Sequence, residues 1–317
     1  MQNAKVMGKR RKFIIHPGYP KTATTTLQKA LFARHPDLCY LGKPLKGAIL
    51  EIELDIIKLD DPSFSSALPG LQKKIDSVIE DCNQDNRNIL LSHEGFLRPT
   101  RYEGHDIRRT ADRIWKVFGE PFQGDFDCHV LLTLRNQVDI VPSYFFDSVS
   151  RRPGQFRQFI AQSLQKPGEG YTGSLFYDDM VHHYADLFGR DQVKIMLFEQ
   201  FIQHREAFLR DLADFLGVDH ATSKQLIGDN IYNTKARTGS GYRITANEIM
   251  LDVVNKVFPN TERLPYLLRY PLKRIPLKTR AFSLSSTEKS AIQQLYVGGN
   301  RRLSDEFGLP MGEYDYY

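Results

Sequence analysis

The sequence predicts an α/β fold in which a central parallel sheet is flanked by helices. Short apolar runs of strand length recur along the 317 residues, and segments of helix length separate them. Continuous apolar runs are typical of parallel strands, because both faces of such strands are buried. The predicted strands are 12–16, 88–93, 129–134 and 193–198.

The helices are predicted from apolar stripes that recur with helical spacing and should pack on the sheet. The predicted helices are 71–82, 107–118, 175–188, 201–216 and 244–258. Ser285 followed by Glu288 matches a capping box, so a last helix is expected to begin there and to run toward Phe307. The C-terminal half of the chain is therefore predicted to be mainly helical.

The composition indicates one globular domain. Apolar residues make up 41% of the chain, which is enough for a sizeable core. Because no repeat, low-complexity tract or composition shift is found, residues 1–317 are predicted to form a single domain, with 1–11 as a flexible basic N-terminus. The net charge of +5 and the pI near 8.9 favour a polyanionic small ligand without requiring nucleic acid.

Cysteine content and hydropathy bear on location. Cys39, Cys82 and Cys128 are widely spaced and odd in number, so neither a disulfide framework nor a zinc site is predicted, and a reducing cytoplasm is expected. No signal peptide or transmembrane segment is recognised. Segment 259–280 carries four prolines among basic residues, which predicts an irregular connection. Its basic residues make it a candidate for peripheral contact with an anionic membrane or a polyanionic glycan.

Segment 13–28 runs from an apolar strand through a Gly/Pro turn into a helix, which is the order that a phosphate cradle needs. Gly18 and Pro20 shape the turn, Lys21 adds a mobile positive charge, and the first backbone N–H groups of the helix face an anion. Hydroxyl donors come from Thr22, Thr24, Thr25 and Thr26. Because Thr is a poor helix former, these threonines predict a phosphate or sulfate site rather than a simple helix start.

The turn is not a Walker motif, since that motif needs a Gly directly before the Lys and this chain has Pro20 there. The run Pro20-Lys21-Thr22-Ala23-Thr24-Thr25 resembles instead the PKTGTT or PKSGTT loop of sulfotransferases, which grips the 5'-phosphosulfate of 3'-phosphoadenosine 5'-phosphosulfate (PAPS). Ala23 stands where the family usually has Gly and is expected to keep an ordinary helical conformation. With the strand pattern, the resemblance implies a three-layer P-loop-like fold.

The resemblance extends to the second half of the nucleotide site. Members of the family carry an Arg at the end of a later strand and a Ser eight residues further on, and both contact the 3'-phosphate. Arg135 and Ser143 reproduce that spacing after the strand 129–134. A third contact is expected from a loop rich in Lys, Arg and Gly, for which Lys235 and Arg237 are candidates; a solvated Gly/Ser turn explains that loop equally well.

A general base is expected at a strand end beside the turn, where Lys21 would supply positive charge to the leaving phosphate. His93 and Glu94 follow an apolar run, and strand alternation sends them to opposite sides, so only one is expected to act. Some branches of the family use a histidine, and the heparan-modifying type uses a glutamate. Segment 92–95 resembles the glutamate form, so Glu94 is preferred and His93 is the alternative; burial would raise the pKa of the carboxyl group.

The resemblance therefore implies an enzyme that transfers a sulfuryl group from PAPS to a hydroxyl or amine of a small-molecule or carbohydrate-like acceptor. Adenosine 3',5'-bisphosphate (PAP) is the expected product, and no metal is expected. Two rival hypotheses remain. A P-loop kinase or nucleotide hydrolase would need magnesium and an acidic ligand at a strand end. A non-catalytic nucleotide-binding protein would keep the cradle without turnover. Neither the acceptor nor the oligomeric state is predicted.

Overall fold

The computed structural model describes residues 10–43, 45, 47–83, 86–98, 106–148, 153–228 and 283–317. Its strands are β1 Lys12–His16, β2 Leu38–Gly42, β3 Asn88–Ser92, β4 Asp127–Leu134 and β5 Val193–Leu197. Its α-helices are α1 Thr24–Thr26, α2 Gly47–Lys58, α3 Asp61–Asn83, α4 Ile107–Ile114, α5 Gln137–Ser148, α6 Pro153–Gln165, α7 Gly170–Gly173, α8 Tyr177–Phe188, α9 Phe198–Gln203, α10 Arg205–Leu216, α11 His220–Ile227 and α12 Ser286–Phe307. The predicted helix 244–258 and the basic segment 259–280 lie outside the described residues.

The five strands form one parallel sheet in the order β2-β3-β1-β4-β5. β1 lies in the middle, with Ile14 opposite Leu90 of β3 on one side and His129 of β4 on the other. From β1 the chain crosses to β2 at one edge, returns to β3 beside β1, and then adds β4 and β5 on the other side, so the connections that follow the neighbouring strands β1 and β4 run in opposite directions. In open α/β sheets, ligands bind beyond the carboxyl ends of the strands at such a reversal.

Apolar side chains cover both faces of the sheet. On one face Ile14 and Leu131 belong to a buried cluster with Leu212 of α10. On the other face the ring of Phe13 stacks on Phe118 and Phe122, with centroids 6.1 and 5.8 Å apart. Successive residues of β1 therefore enter opposite cores, and the predicted three-layer arrangement is confirmed.

The predicted helices 71–82, 107–118 and 175–188 are found, and the second continues as a π-helical turn at Trp115–Gly119. The helix predicted at 201–216 is instead two helices, because His204 leaves the helical conformation with φ −129°. β2 was not predicted: it lies at the edge of the sheet, and only its first residue is fully buried, so its apolar signal is weak.

The described residues divide into two compact units. The first contains 10–136, 168–228 and 296–317, which include the whole sheet, and the second contains the described parts of 137–167 and 283–295. In the second unit the predicted capping box is confirmed, since the backbone N–H of Ser285 donates to Glu288 at 2.7 Å and the N–H of Glu288 donates to Ser285 at 3.2 Å. The single domain over 1–317 stays a prediction.

Cys39 and Cys82 form a disulfide with their Cα atoms 5.7 Å apart, so the interpretation of the cysteines as unpaired was wrong. β2 pairs with β3, and α3 ends just before β3 begins, which brings two cysteines 43 residues apart to the same edge of the sheet. The cytoplasmic location stays a prediction. The disulfide argues against it, because disulfides are typical of oxidising compartments.

None of the helices in the described residues combines the length and the apolar character needed to cross a bilayer. Within the same residues, no group of three or more His, Cys, Asp or Glu side chains is arranged to hold a metal ion.

Candidate active site

A buried hydrogen-bond network joins the carboxyl ends of β1, β3 and β4. Nδ1 of His16 lies 2.8 Å from the Ser92 hydroxyl, which also accepts a bond from the amide of Gln28 at 3.0 Å. The hydroxyls of Thr22 and Thr133 lie 2.7 Å apart. Burial lowers the pKa of His16 to about 4 against the opposing charge of Glu94, so this imidazole is neutral near pH 7. The network supplies a rigid floor for the turn that follows β1.

The turn itself contains left-handed residues. Lys21 has φ 73° and Ala23 has φ 64°, while Gly18 has φ 57°. The expectation that Ala23 keeps an ordinary helical conformation was wrong, because the chain needs the left-handed turn here even without the glycine usual in the family that it resembles. A Cβ on Gly18 would lie 3.1 Å from the Thr24 methyl group and 3.3 Å from the His16 ring, so both space and conformation require glycine there.

Replacing Ala23 with Gly should raise the free energy of unfolding by up to about 1 kcal/mol, because glycine adopts positive φ without the steric penalty that alanine carries. Chemical denaturation of the two proteins measures the difference. The matched control is Ala30→Gly, in the π-helical segment Leu27–Phe32 that follows, which should destabilise the protein. A loss of stability in the Ala23 variant would contradict the strain argument.

The threonines of the turn serve mainly internal contacts. The side chains of Thr22, Thr24 and Thr26 are 97% or more buried, and Thr25 is partly exposed. Thr22 donates to the carbonyl of Tyr19 at 2.7 Å, and Thr24 donates to Oε2 of Glu94 at 2.7 Å. All four hydroxyls were expected to face an anion, whereas those of Thr22 and Thr24 bond to Tyr19 and Glu94.

Arg135 lies against the same turn. Its guanidinium group donates to the carbonyl oxygen of Lys21 at 3.1 Å and stacks over the ring of Phe198 at 4.6 Å. Lys21 and Arg135, which belong to two motifs distant in the sequence, are thus in contact. Ser143, the predicted partner of Arg135, is on α5 in the second unit. The other predicted contacts, Lys235 and Arg237, lie outside the described residues.

The residue after Arg135 is held firmly. The backbone N–H of Asn136 donates to Oε1 of Glu199 at 3.0 Å, and the hydroxyl of Tyr316 donates to Oε2 at 2.9 Å. The side-chain amide of Asn136 donates to the carbonyls of Tyr314 and Asp315. Burial raises the pKa of Glu199 against these hydrogen bonds. The C-terminal segment therefore fixes the chain at the end of β4, next to Arg135.

Glu94 is mostly buried, with 19% of its side chain exposed. Oε2 accepts the hydrogen bond from Thr24, and Oε1 pairs with the ammonium group of Lys43 at the end of β2. Burial acts to raise the pKa of Glu94, but Lys43, Thr24 and His93 outweigh it and hold the pKa below its ordinary value. Burial thus acts in the expected direction, but the net shift is downward. Lys43 was not among the predicted site residues, because the strand that presents it was not recognised.

His93 and Glu94 contact different parts of the chain, although Glu94 lies in the turn after β3 and not in the strand itself. The side chain of His93 is 2% exposed, and Nε2 lies 2.7 Å from Oε1 of Glu53 on α2. Its backbone N–H donates to the carbonyl of His16 at 3.0 Å and extends the pairing of β3 with β1. Glu53 carried no sequence signal, because it is one of three acids of α2, with Glu51 and Asp55, and no local pattern sets it apart.

Together these residues form a site with a preorganised turn, two cationic side chains and one ionised carboxylate. Lys21 and Arg135 provide positive charge for phosphate or sulfate oxygens. Glu94 is deprotonated near neutral pH, is 19% exposed, and accepts a hydrogen bond from Thr24 of the turn. Such an arrangement can bind a polyanion and accept a proton from a group beside it.

No protein-family model matches this sequence, and no curated protein matches it. Solved structures do. A sulfotransferase from Alicyclobacillus acidocaldarius is 22% identical, with 82% of this chain and 96% of that chain covered and a TM-score of 0.45. Mouse sulfotransferase SULT7A1 complexed with PAP is 14% identical, with 95% and 89% covered and a TM-score of 0.45. The sulfotransferase domain of the Synechococcus PCC 7002 olefin synthase is 15% identical, with 94% and 98% covered and a TM-score of 0.41. Each of these three solved structures, to which this chain is similar, is thus a sulfotransferase.

Proposed function

We propose that this protein is a PAPS-dependent sulfotransferase that modifies a hydroxyl or amine of a small-molecule or carbohydrate-like acceptor. One observation carries the proposal. Residues from three separate segments meet at a single turn, where Arg135 bonds to the carbonyl of Lys21 and Glu94 bonds to Thr24. These are the residues that the sequence motifs assign to donor binding and proton removal.

The donor is held by the turn and by Arg135. Left-handed residues such as Lys21 and Ala23 give a turn the concave backbone that binds anions through its N–H groups. Lys21 neutralises the phosphosulfate, and its charge stabilises the phosphate that leaves as sulfur–oxygen bond cleavage proceeds. The planar guanidinium of Arg135 suits bidentate contact with the 3'-phosphate. Ser143, Lys235 and Arg237 remain proposed additional contacts.

Glu94 takes the proton from the acceptor. Its carboxylate is ionised near neutral pH, and its side chain is 19% exposed, whereas the side chain of His93 is 2% exposed and pairs with Glu53. A base must reach the proton that it removes, which favours Glu94. The acceptor oxygen or nitrogen attacks sulfur in line, Glu94 receives the proton, and PAP leaves with the electron pair of the broken S–O bond.

Calorimetric titration with PAP tests the donor site without knowledge of the acceptor. Wild-type protein should bind PAP in the absence of magnesium, and Lys21→Ala should weaken binding about 30-fold, because a charge-assisted contact to phosphate contributes about 2 kcal/mol. Lys29→Ala is the matched control, since Lys29 is exposed on the helical segment that follows the same turn. It should bind PAP like wild type.

Titration with ATP and magnesium separates the rival functions. Stronger binding of magnesium ATP than of PAP would contradict the proposal and support a kinase or nucleotide hydrolase. Tight PAP binding without turnover of PAPS toward a panel of phenols, sugars and amines would support a non-catalytic nucleotide-binding protein.

A further inference from the structure

The inner face of α2 carries a buried acid in an apolar setting. Ile52 and Ile56 are fully buried there, and Glu53 beside them is 1% exposed. A carboxylate in such surroundings is costly unless another group compensates its charge and donates hydrogen bonds to it. The proposed reaction does not use Glu53 directly, so its place in the core needs a separate explanation.

The compensating group is the imidazole of His93. Oε1 of Glu53 lies 2.7 Å from Nε2 of His93, whose own side chain is 2% exposed. The ring of Phe96 meets the imidazole edge-on, with centroids 5.3 Å apart. The backbone N–H of His93 is bonded to the carbonyl of His16. The imidazole and its backbone are therefore fixed by α2, by the following turn and by β1.

A second ion pair joins the same two segments of the chain. Lys43 precedes α2 and pairs with Glu94, while Glu53 within α2 pairs with His93, the residue before Glu94. His93 directly follows β3 and Glu94 begins the turn at residues 94–97, so a shift of the buried His93 ring and its backbone would displace the neighbouring Glu94. The ion pair of Glu94 with Lys43 therefore depends on the ion pair of His93 with Glu53.

α2 is itself anchored at its end. The buried guanidinium of Arg113 donates to the carbonyls of Ile56 and Leu59 at 2.9 and 2.7 Å and to Asp61 at 2.6 Å. These bonds satisfy carbonyl groups near the C-terminus of α2. The helix therefore cannot shift along its axis without breaking them, and it holds Glu53 at a constant distance from β3.

We propose that Glu53 is a positioning residue that acts through His93 to hold the carboxylate of Glu94 between Thr24 and Lys43. Its effect on turnover rests on the proposed function, whereas its effect on the geometry of Glu94 does not. Glu53 touches neither donor nor acceptor, so its replacement should change turnover and leave PAP affinity unchanged.

Two uncharged replacements separate geometry from charge. Glu53→Gln keeps a carbonyl that can accept the His93 N–H, while Glu53→Ala removes it, and both lack the negative charge. The carboxyl signal of Glu94, assigned with Glu94→Gln, is titrated by ¹³C NMR in each protein. The groups that face Glu94 are Lys43, Thr24, His93 and, at longer range, His16 and Tyr40.

The pKa of Glu94 should be higher in Glu53→Ala than in Glu53→Gln, because burial persists while the contacts with Lys43 and Thr24 loosen. Equal pKa values in the two variants would overturn the proposal. Should Glu53→Ala fail to fold, Glu53→Leu replaces it, since leucine is also neutral and fills the space. Glu51→Ala is the control, because Glu51 is exposed on the same helix.

Turnover of PAPS with 2-naphthol as the probe acceptor gives the second measurement. Glu53→Ala should lower kcat about 30-fold through misplacement of the base, with the Kd for PAP unchanged, and Glu53→Gln should recover most of the loss. Unchanged kcat in a folded Glu53→Ala protein would overturn the catalytic consequence. Failure of the proposed function is distinguishable, because wild type would then not bind PAP, while the NMR comparison would still decide the role of Glu53.

Discussion

Replacing Glu94 with Gln should lower the turnover of PAPS by about 10²- to 10⁴-fold, the range that general bases contribute. Glutamine has the shape of glutamate and can still accept hydrogen bonds from Thr24 and Lys43, but it cannot take a proton. The affinity for PAP should stay close to that of wild type. Single-turnover kinetics with saturating PAPS and 2-naphthol, together with calorimetry, measure both quantities.

Two further variants make this result specific. Glu51→Gln changes an exposed acid of α2 and should leave turnover unchanged. His93→Gln removes the alternative base. Wild-type turnover in Glu94→Gln would show the assignment to be wrong, and a larger loss in His93→Gln than in Glu94→Gln would assign the base to His93.

The pH dependence of turnover should follow the same carboxyl group. Because the pKa of Glu94 lies below its ordinary value, the carboxylate stays ionised and active until the pH falls below the pKa of an ordinary glutamate side chain. The stability that its ion pair contributes is present above the unfolded pKa and is lost as the pH falls through the folded one. Lys43→Met should move the acidic limb of the pH profile of turnover to higher pH. An unchanged limb would mean that the ion pair with Lys43 does not control the pKa of Glu94.

Replacing both Cys39 and Cys82 with Ser should lower the free energy of unfolding by about 3 to 4 kcal/mol. The bridge closes a loop between residues 43 apart, and a crosslink of that length restricts the unfolded chain by this amount. Equilibrium denaturation in urea, with and without reductant, measures the effect. A double variant as stable as the oxidised wild type would contradict the expectation.

The control for the disulfide is chemical. Reductant should destabilise the wild type by the same amount and leave the double variant unchanged. Burial raises the pKa of the Cys128 thiol to about 12, so this residue should resist alkylation in the folded protein. Alkylation of Cys39 and Cys82 without prior reduction, detected by mass spectrometry, would show that the bridge is absent.

Local patterns in the sequence determined the parallel sheet and the centre of the site. The apolar runs that became β1, β3, β4 and β5 are each contiguous, and so is the turn that carries Lys21. Burial of a continuous apolar strand and the helix start after a Gly/Pro turn depend on neighbouring residues, so both were predictable. Arg135 was assigned through the family resemblance, because its place after a strand and the Ser eight residues further on match the spacing of the family.

Tertiary structure alone decided the contacts that tune the site. Lys43 reaches Glu94 across 51 residues, and Cys39 reaches Cys82 across 43. No local pattern encodes such pairs, because they depend on which strands become neighbours in the sheet. The left-handed conformation of Ala23 could not be predicted from its residue type either, because this conformation is unfavourable for alanine. The buried contacts around the turn must therefore impose it. The sequence by itself determined which chemical groups are present at the turn, and packing decided how each group is charged and oriented.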